Sequence, residues 1–327
     1  MKRTLGGVIL VAALVFAAGA AYAQDMGIVT GSKKGTYYQF GLNMSELVKQ
    51  KGVRLRVDDS QGSVQNVFSV YKAPDTQLGI VQSDVLAFVS KIQNDPVLQR
   101  IASKTRMVFP FYNEEVHLLA NAEVRDFDDL NGRIVAIGEE GSGIYLTSRL
   151  LFEASGVKPR DMLAVGPVDA LALLKKGDID ALFYVAGIPV KLFTEDVAAE
   201  DKLSLVPITN KSILEFYPPV QIPADTYRWQ GQAVDTVAVK AVLISYDFRG
   251  SNCENVGKVA KIVYDNLEWL KSNGHPKWKT VDLNTPLKGW EQYDCVTRVV
   301  QPARRRAPEK PRVVNPVLDA IKKMFSE

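Results

Sequence analysis

The sequence predicts an α/β protein made of two units, each a mostly parallel sheet flanked by helices. A strand, a turn rich in glycine and serine, and a helix follow one another three times from residue 26 onward. The same pattern restarts near residue 115, which indicates a second unit. The chain has 327 residues, of which 46% are hydrophobic and 24% are charged. That size and composition are typical of about two soluble globular domains.

The first 23 residues have the three parts of a cleavable secretory signal. Lys2 and Arg3 carry positive charge, Val8–Ala18 is an apolar run of 11 residues, and Ala21-Tyr22-Ala23 provides small residues at the cleavage positions. A membrane anchor is the alternative, but the apolar run is too short to cross a bilayer as a permanent helix. We therefore expect an exported protein that begins near Gln24.

The charge and the cysteine count limit the classes of partner and site. The formal net charge is +3, which gives no reason to expect a nucleic-acid partner. Two histidines and two cysteines are too few for a metal site built from those ligands, and no cofactor is expected. Because exported proteins fold in an oxidising compartment, we expect Cys253 and Cys295 to form a disulfide. Two separate buried thiols are the alternative.

The first unit begins with a buried strand at Met26–Thr30, which runs into the turn Gly31-Ser32-Lys33-Lys34-Gly35-Thr36. Helical spacing of apolar residues predicts that a helix follows. Those apolar positions are Tyr37, Phe40, Met44, Leu47 and Val48. The unit continues with a strand at Val53–Val57, a helix from Gly62-Ser63 to about Ala73, a strand at Leu78–Val81 and a third helix after Gln82-Ser83-Asp84.

A link that contains Phe109-Pro110-Phe111-Tyr112 is expected to be extended because of its proline. The second unit follows, from about Glu115 to Val206. Its predicted elements are strands at Val116–Ala120, Ile134–Ile137 and Ile179–Val185, and helices that open at Gly141-Ser142-Gly143 and at Val168. Beyond Pro207 the expected elements are a strand at Ala241–Tyr246, an amphipathic helix over about Asn255–Ser272 and a basic tail with Arg304-Arg305-Arg306.

Four turns of the chain are suited to binding an anion. The carboxyl ends of parallel strands lie at one edge of a sheet, and helices that begin there present free backbone N–H groups. Each turn taken alone is better explained as an ordinary helix N-cap, but their recurrence in both units favours a binding site. The turns are Gly31–Thr36, Gly62-Ser63, Gln82–Asp84 and Gly141–Gly143.

Motifs for catalysis match poorly, and no catalytic residue is expected. Gly141–Leu146 lacks the last glycine of the dinucleotide fingerprint and is not a G-x-S-x-G motif. Ser69-Val70-Tyr71-Lys72 matches S-x-x-K, but the companion motifs of that enzyme class are missing. His117 lies inside an apolar strand, where a structural role is expected, and His275 lies in a loop.

Taken together, the turns resemble those of a known family. Three segments are similar to motifs of the TAXI-type solute receptors of TRAP transporters: Gly31-Ser32-x-x-Gly35-Thr36-Tyr37-Tyr38, Gly62-Ser63-Val64-Gln65-Asn66 and Val81-Gln82-Ser83-Asp84. In the second unit the matching segments are Asp129–Ile134, Gly141–Gly143, Gly177–Ala181 and Gly187-Ile188-Pro189. The order and spacing agree from about Ile28 to Pro189, roughly half of the chain.

The resemblance implies a two-lobed periplasmic binding protein of type II-like fold, whose cleft closes on its ligand. Lobe I would comprise residues 24–113 and about 208–327, and lobe II residues 114–207. The ligand would be a small organic anion, glutamate- or dicarboxylate-like, which a monomeric receptor delivers to the subunits of a TRAP permease driven by an ion gradient. The expected ligand-binding residues are Ser32, Thr36, Tyr37, Ser63, Gln82, Asp84, Gly141, Ser142 and Gly143.

Lys33 and Lys34 depart from the family pattern, in which these two positions are commonly small or uncharged. If either ammonium faces the cleft, a more anionic ligand is favoured, and two solvated lysines outside the turn are the alternative. A periplasmic enzyme on the same fold and a ligand-sensing receptor for a membrane sensor also stay open as functions. The basic tail is either solvated surface or a docking contact with the permease or with anionic headgroups.

Overall fold

The computed structural model describes residues 26–90 and 95–301. The predicted signal segment of residues 1–23 and the basic tail with Arg304-Arg305-Arg306 lie outside the described residues. Within those two ranges, no helix is long and apolar enough to cross a membrane.

The strands of the described chain form one continuous sheet. They are β1 (Met26–Val29), β2 (Leu55–Asp58), β3 (Leu78–Gln82), β4 (Thr105–Ala120), β5 (Ile134–Ala136), β6 (Asp161–Leu163), β7 (Ala181–Ala186), β8 (Ser204–Leu205), β9 (Pro219–Ile222) and β10 (Val234–Tyr246). Their order is β2-β1-β3-β10-β4-β7-β5-β6, with β8 beside β4 and β9 beside β10. Strands β1 to β3 pair parallel, and so do β5 to β7, as the sequence predicts for each unit.

The helices follow the strands on both faces of the sheet. They are α1 (Thr36–Gln50), α2 (Ser63–Lys72), α3 (Ser83–Val89), α4 (Pro96–Lys104), α5 (Gly143–Ser155), α6 (Pro167–Lys176), α7 (Lys191–Asp196), α8 (Lys211–Leu214), α9 (Ser251–Asp265), α10 (Leu267–Asn273) and α11 (Asp294–Val300). Short 3-10 helices lie at Phe127–Leu130, Ala199–Asp201 and Pro276–Thr280. The single helix predicted over Asn255–Ser272 is wrong in one respect, because the chain breaks it into α9 and α10 at Asn266.

Strands β4 and β10 are the longest in the sheet, with 16 and 13 residues. The predicted link at Phe109–Tyr112 and the predicted strand at Val116–Ala120 are parts of the single strand β4, and β10 begins at Val234 rather than at Ala241. Both strands run antiparallel to their neighbours, unlike the flanks of the sheet. Pro110 is tolerated inside β4 because it lies beside an irregularity in the register with β10.

Two groups of buried side chains divide the sheet into two lobes. In lobe I, apolar clusters lie on both faces of β1, β3 and the end of β10, against α1 and α9 on one face and α2 to α4 on the other. In lobe II, one cluster packs around β5 and β7 and extends through residues 208–239. This packing favours a later boundary than residue 208, and we propose that the chain returns to lobe I within β10, near Lys240.

The helix α1 shows how the apolar pattern positions the first turn. All five of its predicted apolar positions are buried against lobe I: Tyr37, Phe40, Met44, Leu47 and Val48. Because that stripe must face the sheet, the amino end of α1 is fixed at the carboxyl end of β1. The turn from Gly31 to Gly35 therefore stands at the edge of the sheet that faces lobe II.

The predicted disulfide between Cys253 and Cys295 is confirmed, with Cα atoms 5.6 Å apart. It joins α9 to α11, and these helices pack so closely that a Cβ on Gly257 would lie 2.7 Å from the carbonyl oxygen of Cys295. The bond lies in the apolar cluster of lobe I beside α1. The bond therefore holds α9 and α11 against lobe I, the lobe to which β1 belongs.

We expect that replacing Cys253 and Cys295 together with serine lowers the free energy of unfolding by roughly 2–4 kcal/mol, because the bond closes a long loop. Denaturant titration of both proteins measures this difference. Alkylation of the folded, unreduced wild type followed by intact mass measurement is the control, and it should add no label. Two labelled thiols in that control would contradict the assignment.

Candidate ligand-binding site

A small cavity lies between the lobes, where helices begin at the carboxyl ends of the strands. The turns after β1, β2 and β5, the end of β3 and the end of β7 all contribute to its wall. Its volume is about 60 Å³, which accommodates roughly four to six water-sized groups. A ligand must therefore be small, or it must hold the lobes slightly further apart than they stand here.

Seven of the nine predicted site residues line this cavity. They are Ser32, Thr36, Tyr37, Ser63, Gln82, Ser142 and Gly143. Lining residues that the sequence did not single out include Gln61, Glu114, Glu139 and Tyr184. The structure thus brings turns from both units to one place, and whether these residues bind a ligand stays a prediction.

Asp84 and Gly141 lie outside the lining of the cavity. Asp84 is 3% exposed, and its Oδ2 accepts hydrogen bonds from Thr147 at 2.7 Å and Tyr217 at 3.4 Å. Burial raises the pKa of Asp84 to about 6, while the hydrogen bonds from these two hydroxyls oppose the rise. Because Thr147 lies in α5, Asp84 connects lobe I to lobe II rather than facing the cavity.

Gly141 also makes a contact between the lobes. Its carbonyl oxygen accepts a hydrogen bond from the backbone N–H of Gln65 at 3.0 Å. Its φ of +88° lies in the left-handed region that favours glycine, and a Cβ there would lie 2.6 Å from Oε1 of Gln61. The glycine therefore allows the two turns to approach each other.

The amino end of α5 supplies the part of the wall that belongs to lobe II. Ser142 is the N-cap residue, and its hydroxyl oxygen accepts a hydrogen bond from the N–H of Tyr145 at 3.0 Å. The next residue, Gly143, is so close to lobe I that a Cβ would overlap the Gln82 side chain and lie 2.7 Å from Oγ of Ser63. The position requires glycine for the lobes to meet as they do here.

The amino end of α1 supplies the opposite wall. The Ser32 carbonyl accepts a hydrogen bond from the N–H of Gly35 at 2.7 Å, which closes the turn. The hydroxyl of Thr36 donates to the carbonyl of Gly187 at 2.6 Å, so it binds the other lobe rather than a ligand in this form. Free N–H groups of the first helical turn and the helix dipole favour an anion at this end.

Glu114 is one of the lining residues that the sequence reasoning missed. It is 1% exposed, and its Oε2 accepts a hydrogen bond from the hydroxyl of Tyr37 at 2.6 Å. Burial raises the pKa of Glu114 well above its usual range, and the bond from Tyr37 opposes that rise. The sequence does contain a signal for this residue, because the acidic pair Glu114-Glu115 interrupts the largely apolar sequence of β4.

Lys33 and Lys34 do not line the cavity. Lys34 forms an ion pair with Asp196 of α7 and lies 3.7 Å from Glu195, so it joins the rims of the two lobes. Lys33 is exposed. Neither ammonium faces the cavity itself, and Lys34 is not simply solvated, because it pairs with a residue of the other lobe. No lysine, arginine or histidine occurs among the described residues that form the wall.

Both histidines have structural surroundings. His117 is buried, with Nε2 2.9 Å from the hydroxyl of Tyr227 and Nδ1 2.9 Å from the carbonyl of Glu115. Burial lowers the pKa of His117 to about 4, so it is neutral. His275 contacts the carbonyl of Pro189 at 3.2 Å. The structural role predicted for His117 agrees with these contacts.

Comparison with known proteins places the fold in a class. The model of the NMT1-like family matches residues 28–290. Among solved structures, the periplasmic binding protein BugD is similar with a TM-score of 0.53 at 10% identity, over 80% of this chain and 88% of that chain. A periplasmic transporter is similar with a TM-score of 0.51 at 15% identity, over 78% and 89%. A protein of Bordetella bronchiseptica RB50 has a TM-score of 0.50 at 14% identity, over 92% and 82%.

At these identities the solved structures show the fold alone. They confirm the two-lobed periplasmic-binding-protein fold that the sequence predicts. They leave the ligand and the transport partner as proposals.

We expect Gly143→Ala to prevent closure of the lobes, because the added methyl group collides with Gln82 and Ser63. The affinity for a ligand held between the lobes should fall at least tenfold, and small-angle scattering should show no compaction on ligand addition. The circular dichroism spectrum should not change, since each lobe keeps its own core. Gly231→Ala is the matched control, because no atom lies within 4 Å of its added carbon. Equal ligand affinity of Gly143→Ala and Gly231→Ala would contradict the close contact of Gly143 with Gln82 and Ser63.

Ser142→Ala should lower both stability and affinity. Loss of the N-cap costs about 0.5–2 kcal/mol of stability, and loss of one hydrogen bond to a ligand costs on the order of 1–3 kcal/mol of affinity. Ser142→Asp separates the two effects, since it keeps the cap acceptor and adds negative charge beside an anion. Calorimetry with L-glutamate and thermal melting measure both quantities. Normal affinity in the alanine variant would leave Ser142 as a cap alone.

Asp84 should make stability depend on pH. Because its pKa is raised in the folded protein, its contribution to stability is complete below its unfolded pKa near 4 and is lost as the pH rises through about 6. Between pH 4 and 7 the free energy of unfolding of the wild type should fall by roughly 1–3 kcal/mol relative to that of Asp84→Asn. The exposed Asp178→Asn is the control and should follow the wild type. Parallel pH profiles of wild type and Asp84→Asn would contradict the prediction.

Proposed function

The chain belongs to the NMT1-like family, and on this premise we propose that it is an exported solute-binding receptor of the periplasm. It captures a small organic anion, glutamate- or dicarboxylate-like, in the cavity between its lobes. It then presents that ligand to a membrane permease. A second proposal concerns the partner: the permease is of the TRAP type, as the TAXI-like motifs imply.

One observation carries the receptor proposal. The amino ends of α1, α2 and α5, two from lobe I and one from lobe II, meet at a single small cavity. Helix amino ends stabilise a negatively charged group, and the hydroxyls of Ser32, Ser63 and Ser142 can donate to it. Because the walls belong to both lobes, a ligand there contacts both and favours the closed form.

Four of the segments that resemble TAXI receptors contribute residues to this cavity. The segments Gly31–Tyr37, Gly62-Ser63, Gln82 and Ser142-Gly143 all contribute lining residues. Their shared location supports the proposal that they bind the ligand and are not only helix caps. It also supports a TRAP permease as the partner in the proposal, since the resemblance is to the receptors of that class.

A periplasmic enzyme is the second candidate function. Covalent catalysis by a serine or cysteine activated by histidine would need both residues in the wall. The part of the wall that the structure describes contains neither histidine nor cysteine, and His117 is committed to structural hydrogen bonds. The geometry therefore favours binding. A receptor for a membrane sensor would use the same site and differs only in its partner.

A thermal-shift screen of the mature protein against amino acids and small organic acids tests the receptor proposal. A ligand at 100 times its Kd should stabilise the folded state by about 2.7 kcal/mol. Gly143→Ala should remove the shift while Gly231→Ala keeps it. The absence of any shift across both classes of compound would contradict the proposal.

Uptake into vesicles tests the partner separately. We expect that a TRAP-type permease takes up the screened ligand only when this receptor and an ion gradient are present, without ATP. Vesicles with the permease alone are the control. Ligand binding without receptor-dependent uptake would reject the TRAP partner and keep the receptor.

A further inference from the structure

We propose that Glu114 selects ligands that carry a protonated amine beside their carboxylate. This inference rests on the proposed receptor function and specifies the class of its ligand. It follows from the position of Glu114 in the cavity and from the charges of the cavity wall.

The position of Glu114 fixes what it can contact. Glu114 lies on β4 where this strand passes from lobe I to lobe II, and it is paired with Val239 of β10. Its side chain contributes to the cavity wall. The hydroxyl of Tyr37 donates to Oε2 at 2.6 Å and holds the carboxyl group in place. A carboxyl group so fixed can form a directed bond to one group of a small ligand.

The charges of the wall disfavour a ligand whose carboxylates are not accompanied by an amine. The described lining residues include two carboxyl groups, those of Glu114 and Glu139, and no lysine, arginine or histidine. The helix amino ends suit one carboxylate. A second carboxylate would be buried beside Glu114 without a cation, whereas an ammonium group would pair with it.

The groups that face Glu114 come from every element packed against it. They are Tyr37 of α1, Asp84 of α3, Tyr112 and Glu115 of β4, Tyr184 of β7 and Lys277 of the 3-10 helix at 276–280. Lys277 is the one cation in this set, and it is paired with Glu115 at 2.5 Å. The charge of Lys277 lowers the pKa of Glu114, but Lys277 forms its ion pair with Glu115, and no ion pair to Glu114 forms among the described residues.

Proton release follows from this environment. Burial raises the pKa of Glu114 well above its usual range and so favours the protonated carboxyl group. An ammonium group at hydrogen-bond distance favours the carboxylate and lowers that pKa. The proton leaves Glu114 for solvent, and the ligand amine keeps its own. Affinity for an amine-bearing ligand should then rise with pH until Glu114 is ionised in the free protein.

Pairs of compounds that differ only in the amine provide the test. L-glutamate is compared with glutarate, and L-alanine with propionate, by calorimetry between pH 6 and 8 in buffers of different ionisation enthalpy. The amine-bearing member that binds should release protons and bind at least tenfold more tightly than its partner. Glu114→Gln should abolish the proton release and reduce the preference to less than threefold. The exposed Glu153→Gln should behave as the wild type.

Each outcome decides between the two proposals. Tighter binding of glutarate or propionate, or proton uptake on binding, overturns the inference about Glu114 and leaves the receptor function intact. Proton release that persists in Glu114→Gln also overturns it. Failure of all four compounds overturns the inference, and a shift with another acid in the thermal screen then keeps the receptor function. Thermal melting of Glu114→Gln checks that the variant folds, since removal of a buried ionisable group should not lower its stability.

Discussion

The pairing of β4 with β10 is the interaction on which the rest of the structure depends. The two strands pair from Ala238 with Glu115 to Tyr246 with Thr105. The chain leaves lobe I along β4, builds lobe II, and returns along β10. Each flank of the sheet extends from this pair, with β3 added to β10 and β7 added to β4. The carboxyl ends of the parallel strands in the two lobes therefore face each other across the β4–β10 pair.

The contacts that join the lobes include polar ones as well as apolar packing of Ala87 and Leu146, and the polar ones set part of the response to a ligand. Backbone and hydroxyl hydrogen bonds connect Gln65 to Gly141, Thr36 to Gly187 and Thr147 to Asp84. Each such bond contributes a net of about 0.5–1.5 kcal/mol, since water replaces it when the lobes separate. A ligand that contacts both walls can therefore shift the equilibrium toward the closed form.

Local patterns in the sequence predict the local parts of the fold well. The starts of α1, α2 and α5, their buried stripes and the turns at the cavity follow from helical periodicity and from small residues at helix ends. The disulfide follows from export and from a single pair of cysteines. These features depend on neighbours in the chain, so one sequence is sufficient to predict them.

The features that the sequence reasoning missed depend on distant pairing or on short segments. β4 and β10 lie more than 100 residues apart. Their mutual pairing makes Phe109–Tyr112 part of a long strand, and pairing with β9 and β4 does the same for Val234–Lys240. Helices α7 and α8 have six and four residues, too few for periodicity to show. Asp84 was expected in the cavity because it follows Gln82, but as the second residue of a helix it points toward Thr147.

The irregular register of β4 and β10 has a mechanical consequence. The pairing shifts between Lys240 and Val242 and again between Leu243 and Ile244, while the ladder on either side is regular. A regular ladder is stiff against bending, and a bulge increases local twist and bends its strand. Two strands joined side by side also resist sliding past each other. We therefore expect that lobe II moves relative to lobe I most easily by rotating about the irregular part of the β4–β10 pair, at residues 240–244 of β10.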